Sequence, residues 1–548
     1  MCAASPVLVI GAGPVGQTTA LLLARWDVPV ILLDRRPRRD AVGSKAICQQ
    51  RDVLDIWESV GAGARIAGEG LTWTVARTFH RNRELFSYPV ADPGDSGFPV
   101  FVNISQTRTE QILDECIAAQ PLIETRWDHE VVRLDQDEQG VRAHLADGRV
   151  VAGAHAVLCS GARAEALREP LGIRFDGNSF DDRFLICDIR ADLPGWADER
   201  RFYFDPEWNP GRQILIHPCP DSTFRIDWQV PGDYTLDTLA AETTDGRLET
   251  RIRAIIGEDT DYDVVWSSVY RFHSRCASRL RVGRILLAGD AAHLVAPFGA
   301  RGLNSGVADA ENAAWKIAYV HRGWAGPDLL ESYHDERHAA ARENIAVTTD
   351  TMNFLVPRTG AHRTHRLDVL DRAGRDVAAQ AEVNSGRFAE PFWYVESPLT
   401  TPDPGRPVTG RPQRGHRPVP APGVLLPDCS IQHPRHRRLR ELAREGFVLL
   451  HGDEPDRGVS SGVEHDIPGP VLVAHAGRLD PTGALARSLR LEPGEVWVIR
   501  PDAHIAATLH TPERTELAAA AHRAMGLSPS GRESISEEVR RGALPTPG

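Results

Sequence analysis

No two of the eight cysteines form a Cys-x-x-Cys pair; they stand alone at positions 2, 48, 116, 159, 187, 219, 276 and 429. That scatter argues against a metal site or a disulfide framework and predicts reduced thiols in a cytoplasmic protein. Long apolar runs are also missing. None reaches the roughly 18 residues of a membrane span, and the chain enters SPVLVIGAG with no basic and apolar leader before it. Nor is there a basic excess. With 63 Lys and Arg against 75 Asp and Glu, the formal charge is −12, the wrong sign for a nucleic-acid surface. With metal, membrane and nucleic acid set aside, a small-molecule partner is expected.

What is present is long: 548 residues exceed what one core usually serves, so two or three domains are expected. In residues 5–34, VLVI and VPVILLD read as short buried strands, and GPVGQTTALLLARW between them has helical periodicity. Such a β-α-β unit predicts a parallel sheet with crossover helices. HAVLCSGA (155–162) and GRILLAGD (283–290) are candidate later strands of that sheet. Residues 175–275 differ, with alternating segments such as QILIHPCP and STFRIDWQV between Pro-Gly and Pro-Asp turns, and predict a mixed or antiparallel sheet covering a substrate. From Asn304 to about Thr349 the pattern is helical. Residues 397–427 hold nine prolines and read as a linker or an extended wrapping segment. Beyond them, FVLLHGD, PVLVAHAG and EVWVIRPDAHIAATL predict strands of a small α/β domain, and the last twenty or so residues read as a frayed tail.

GAGPVG (11–16) matches G-x-G-x-x-G, follows a strand, opens a helix and is succeeded by Asp34 at the end of the next strand. Gly11 makes the tight turn, Gly13 lets the backbone approach a pyrophosphate, and Gly16 permits close helix-strand packing. The helix start offers N–H groups to phosphates, and Asp34 accepts hydrogen bonds from a ribose. This predicts dinucleotide binding without separating FAD from NAD. A second stretch separates them: LLAGDAAHLVAPFGARGLNSGVADAENAAWKIA (286–318) places a carboxylate at a strand end, a Pro- and Gly-containing loop and a helix start close together. A distant second site is what a dinucleotide with an additional ring system requires.

The two stretches together, over roughly residues 5–350, resemble the FAD-dependent aromatic hydroxylases of the p-hydroxybenzoate hydroxylase class, in particular phenol- and 3-(3-hydroxyphenyl)propionate-hydroxylase-like members. The resemblance implies an α/β fold with a Rossmann-like FAD-binding domain and its parallel sheet (1–175 and 276–395), and an interleaved mixed β-sheet substrate domain (176–275). A Pro-rich linker (396–427), a thioredoxin-like α/β domain (428–530) and a flexible tail (531–548) would follow. It implies FAD, with NAD(P)H and O2 as cosubstrates, and hydroxylation of a phenolic or polycyclic ring through a flavin C4a-hydroperoxide. It assigns Asp34, Arg35, Lys45 and Gln106 to the FAD sugars and phosphates, and Asp290 to the ribityl or pyrophosphate portion. Pro297 would lie beside the reactive edge, and the N–H groups of Gly302, Leu303 and Asn304 would face the pyrimidine end, where a helix start stabilises negative charge.

The chain departs from the family in two places. Where relatives carry Asp-Gly-x-x-Ser-x-x-Arg, a motif linked to both FAD and NAD(P)H, it reads CSGARAEALREPLGI, with Ser160 for the Asp, Ala164 for the Ser and Arg168 one residue late. Arg301 stands where relatives have Gln or Tyr, and is expected close to the flavin as a catalytic group. His217, Arg225 and Tyr270 are the candidate substrate residues, with Asp227, Trp228, Arg271 and His273 near them in sequence. No metal is expected. With Cys429 alone, the C-terminal domain cannot exchange disulfides and is assigned to stability or a homodimer. Baeyer-Villiger oxygenation or flavin-oxidase chemistry on the same fold, and a flavin-binding scaffold without turnover, are the alternatives.

Overall fold

The computed structural model describes residues 5–40, 43, 46–94, 96–412, 416–452, 463–464 and 466–527. Two compact units emerge: residues 1–92, 98–310 and 338–390 in one, and 93–97, 311–337 and 391–548 in the other.

Two large sheets dominate the first unit, beside a three-stranded and a two-stranded one. Its six-stranded sheet runs in the order Arg281–Val282, Ile285–Leu287, His155–Leu158, Val7–Ile10, Val30–Leu33, Ile123–Arg126. All pairings are parallel except the first, a tight hairpin. The central strand VLVI is buried at every position because both of its faces are covered, which is why it lacks polar alternation. The helix Pro14–Arg25 follows it, with Pro14 in the first turn, where a missing N–H costs nothing.

The second sheet has eight strands, in the order His293–Leu294, Tyr262–Ala277, Phe175–Ala191, Thr223–Val230, Gln213–Cys219, Glu199–Phe204, Val75–His80, Arg83–Pro89. It therefore reaches well beyond residues 176–275 in both directions. One face is covered by the helices Leu236–Asp245 and Arg247–Ile256, which pack Leu239, Leu248 and Ile252 onto Leu185, Ile226 and Trp228. Sequence alternation alone gave no sign of that helical pair. On the other face, Phe184, Leu215 and Phe272 share a core with Ala296 and Phe298 from the loop after Asp290. Period-2 alternation thus sends Leu185, Ile226 and Trp228 to the helices, and Phe184, Arg225 and Asp227 to the opposite face.

The second unit has a four-stranded sheet, Val471–His475, Phe447–His451, Glu495–Ile499, Ile505–His510, whose first pair is parallel and the rest antiparallel. The Pro-rich segment is no free linker. Thr401 N–H donates to the Ala506 carbonyl, Gly423 N–H to that of Ile505 and Leu426 N–H to that of Ala503, while Ala421 and Val424 are buried. Proline limits a segment to extended backbone, and here that backbone lies along an edge strand. A charge cluster is buried in the same unit: Glu336 accepts from Lys316 at 2.6 Å and from both terminal nitrogens of Arg500, which also pairs with Asp502. The proposed tail beyond residue 527 lies outside the described residues. No helix among them is long and apolar enough to cross a membrane.

Candidate cofactor and substrate site

The three glycines of GAGPVG differ in what the structure asks of them. Gly11 has φ +106, and a Cβ there would sit 2.4 Å from the Cys159 carbonyl oxygen; one on Gly16 would sit 1.8 Å from that of Gly11. Both are fixed by the fold. Gly13 has ordinary extended backbone (φ −74, ψ 178), and its Cβ would meet no protein atom within 4 Å. Neither strain nor packing demands glycine at that position, and the loop is left open to a group approaching the start of the helix.

Asp34 is buried beside the loop. It accepts from the Ala12 N–H at 2.7 Å, from the Arg36 N–H at 2.9 Å and from the Arg36 guanidinium at 3.0 and 3.1 Å. Burial alone would raise its pKa, but the Arg36 side chain and the two backbone donors outweigh that and hold the carboxyl below its ordinary value. Arg35, expected at the FAD sugars and phosphates, is exposed, and it is Arg36 that turns to Asp34. Arg39 completes the collar, donating to the Ala12 carbonyl at 3.0 Å and to Glu110 at 2.7 Å and pairing with Asp114. Gln106 opens the helix Gln106–Ala118, accepts from the Ala46 N–H at 3.2 Å and donates to Glu110 at 2.8 Å. Lys45 lies outside the described residues.

In the second motif, Gly289–Ala291 forms a single tight turn at the end of its strand, with Asp290 half-buried. Burial, helped by the Asp290 charge, pushes the Tyr270 hydroxyl up to about 12. The turn is anchored from behind by a residue that motif reading overlooked: Asp309 accepts from the Gly289 N–H at 2.9 Å and from His293 Nε2 at 2.7 Å. A Cβ on Gly306 would lie 2.6 Å from Val15 and 3.2 Å from Gly289 Cα, so the two motifs are packed against each other. Pro297 is exposed in a turn closed by the Ala300 N–H, and the helix Arg301–His321 starts immediately after. The N–H groups of Gly302 and Leu303 belong to its first turn and so have no intrahelical acceptor. Asn304 uses its side chain to accept from the Gln50 N–H at 3.0 Å and to donate to the Cys48 carbonyl at 3.0 Å.

Arg301 does not take the position expected of a catalytic group. It is buried, donating to Asn344 at 2.6 Å and to the carbonyls of Arg387 and Phe388 at 3.2 Å. Its guanidinium clamps a returning loop onto the helix start. In the departing loop, the Ser160 hydroxyl oxygen is buried and has no hydrogen-bond partner among the described residues. Arg168 turns inward, donating to the Ala291 carbonyl at 3.0 Å and lying 4.0 Å over the Phe175 ring.

On the sheet, Asp188, Arg225 and His217 are direct cross-strand neighbours, and Asp227 is two residues on from Arg225. Arg225 is buried and gripped by both oxygens of Asp188, at 2.7 and 2.8 Å. Burial, with the Arg200 and Arg225 charges, holds the His217 imidazole neutral, well below its ordinary pKa. Burial pushes Asp227 up to about 7, against the pull of Arg225 and Arg200. Tyr270 shares this face, opposite Phe184. His273 instead bonds Ser179 at 2.9 Å, Arg271 reaches the Phe180 carbonyl, and Trp228 points to the helices.

Comparison with known proteins now decides the cofactor class: residues 4–348 match the FAD binding domain. The chain belongs to the FAD-binding domain family. It is 33% identical over 347 residues to the dialkyldecalin synthase of Streptomyces rugosporus, covering 62% of this chain and 71% of that one. It is 26% identical to the 3-(3-hydroxy-phenyl)propionate/3-hydroxycinnamic acid hydroxylase of Mycobacterium sp. (strain JLS), covering 96% and 93% of the two chains. Among solved structures, the flavin-dependent monooxygenase PieE, in complex with FAD and substrate, has the same fold, with a TM-score of 0.81 at 24% identity, covering 95% and 98%.

The residues present fit FAD. The loop at Gly13 leaves room for a Cβ that no protein atom occupies, and a helix start and a partnered carboxylate flank it. Asp290 and a second helix start lie on an element packed directly against that loop, as a dinucleotide with an attached ring system requires.

Proposed function

We propose that this chain is an FAD-dependent monooxygenase that uses NAD(P)H and O2 to hydroxylate an aromatic ring. One observation carries the reading. The loop that follows Asp290 packs Phe298 onto the very sheet face that presents Asp188, Arg225, Asp227 and His217. The element that would hold the flavin and the element with convergent polar groups therefore meet on one apolar surface, where a ring can be stacked and oriented.

Gly11, Gly13 and Gly16 with the first helix start would hold the pyrophosphate, Asp34 and Arg36 the adenosine end, Gln106 and Asp290 the ribityl chain, and the N–H groups of Gly302, Leu303 and Asn304 the pyrimidine edge. Bound FAD supplies the electron transfer and oxygen activation that side chains cannot. Phe184, Phe272 and Phe298 pack together and would exclude water from one side, and Pro297 would lie beside the reactive edge. None of the seven described cysteines is in a disulfide, and we read the chain as a cytoplasmic protein. The test is to load the purified protein with FAD and follow anaerobic flavin reduction by NADPH and NADH with and without phenolic and polycyclic compounds. Substrate-stimulated reduction supports the reading.

Ser160 favours one second reading. The hydroxyl stands where hydroxylases carry a carboxylate, and the relative with 33% identity is named a synthase. In that reading FAD is retained but NAD(P)H does not reduce it, and the same experiment separates the two.

A further inference from the structure

We infer that Asp227 is the group that takes the proton from a ring hydroxyl of the substrate, so that the substrate is a phenol bound with its hydroxyl toward the strand Thr223–Val230. The inference rests on the monooxygenase reading and assigns it a residue.

Asp188, Arg225, His217 and Asp227 lie on this face with Arg200 and Tyr270 beside them, and Asp188 and Arg225 are already committed to each other. The Arg225 side chain is 2% exposed and locked in a two-point ion pair with Asp188. Its charge is neutralised and its geometry fixed, and its outer surface lies 5.7 Å from the Trp266 ring. His217 is uncharged in this surrounding, and its Nε2 is 4.0 Å from Asp227 Oδ2, beyond hydrogen-bond range. Asp227 is different. Its Oδ1 is buried and has no hydrogen-bond partner among the described residues. Folded proteins rarely leave a carboxylate oxygen in that state, because the lost hydration is expensive unless something else supplies the donor.

The face settles which donor. Leu215 stands directly opposite Asp227 and belongs to the core that contains Phe184, Phe272 and Phe298. Asp227 is therefore the acceptor on the apolar side of the sheet, against the loop of the second FAD motif, while the other side is sealed by helices. The phenylalanines are themselves buried, so a substrate ring would have to be admitted between them and the strand to bring one polar substituent to that oxygen, and a hydroxyl is the substituent that both donates and gives up a proton. In the step, the ring O–H bond breaks and the proton bonds to Asp227 Oδ1. The electron pair stays on the ring oxygen and raises the electron density of the adjacent ring carbons. The acidity of Asp227 is set first by burial, which raises its pKa, then by Arg225, which lowers it, by Asp188, which raises it, and by Arg200, which lowers it; His217 faces it from the next strand at 4.0 Å.

The test uses the FAD-loaded full chain with 1-naphthol and its methyl ether as probes, binding being read from the flavin absorbance. Wild-type protein is expected to bind 1-naphthol at least tenfold more tightly than the ether. Asp227→Leu, which offers no acceptor, should bind the two equally. Asp227→Asn keeps an acceptor and should keep the preference, but it should lose at least a hundredfold in naphthol hydroxylation, together with the rise in kcat through about pH 7. An unaltered naphthol preference in Asp227→Leu would overturn the inference, as would unaltered rate and pH profile in Asp227→Asn. If wild-type protein binds 1-naphthol selectively through Asp227 but never oxygenates it, the monooxygenase reading fails while the contact stands. If it oxygenates naphthol and the variants behave as wild type, the failure belongs to Asp227 alone.

Discussion

Asp309 Oδ2 lies 2.7 Å from His293 Nε2 in the interior of the FAD-binding unit, and the same oxygen holds the Gly289 N–H at 2.9 Å. One carboxylate thus fixes both ends of the turn that carries Asp290. Asp309→Ala should lower FAD affinity at least tenfold, measured by flavin fluorescence on titration. It should also cost about 3 kcal/mol of stability, because the His293 ring and a buried N–H lose their common acceptor. Unchanged FAD affinity would mean that the turn is held by other contacts.

The glycines of the first motif separate folding from binding. Gly13→Ala has room for its methyl group and an ordinary backbone conformation, so the variant should fold with an unaltered thermal midpoint and bind FAD at least tenfold more weakly. Gly16→Ala would press its methyl group onto the Gly11 carbonyl and should fail to fold as wild type does. Circular dichroism with FAD titration distinguishes the two outcomes.

Asp227 should cost stability where it is ionised. Its pKa is raised from 3.8 to about 7 by folding, so the stability associated with its protonated form is complete below the unfolded value and is lost as the pH rises through about 7. Asp227→Asn removes that loss. The variant should be more stable than wild type at pH 8.5, by at most ~4 kcal/mol, and should gain less at pH 5.5. Urea midpoints at the two pH values check the sign.

Glu336 in the second unit accepts from Lys316, Arg500, Asn312 and Ser397. Lys316, one of two lysines in the chain, has its pKa pushed down to about 8 by burial despite that carboxylate. Glu336→Gln leaves two buried cations short of a counter-charge and should cost about 3–5 kcal/mol, seen as an earlier urea transition. Glu336→Gln with Lys316→Met should recover part of it.

The local parts of this fold were legible because their causes are local. VLVI followed by GAGPVG and a carboxylate specifies strand, turn, helix and a buried acidic residue beside the loop within thirty residues, and the second motif specifies the turn and helix start that pack against it. What escaped was set by tertiary packing. Nothing in DRRPRR says that Arg36 rather than Arg35 turns toward Asp34. Arg301, expected close to the flavin as a catalytic group, is buried with Asn344 and the carbonyls of residues 387 and 388 as its acceptors. Asp309 sits in a helical pattern where a carboxylate ordinarily faces solvent. The strand alternation around Asp227 was visible, but which face is sealed by helices and which meets Phe298 depends on elements far apart in the chain.

The most direct measurement of the central claim is oxygen transfer itself. FAD-loaded protein, NADPH and a panel of phenolic and polycyclic compounds are incubated under isotopically labelled dioxygen, and the products are read by mass. The account predicts a product carrying one labelled oxygen atom, formed in step with NADPH consumption. Reduced flavin that yields only hydrogen peroxide with every compound, or flavin that NADPH and NADH never reduce, would contradict it.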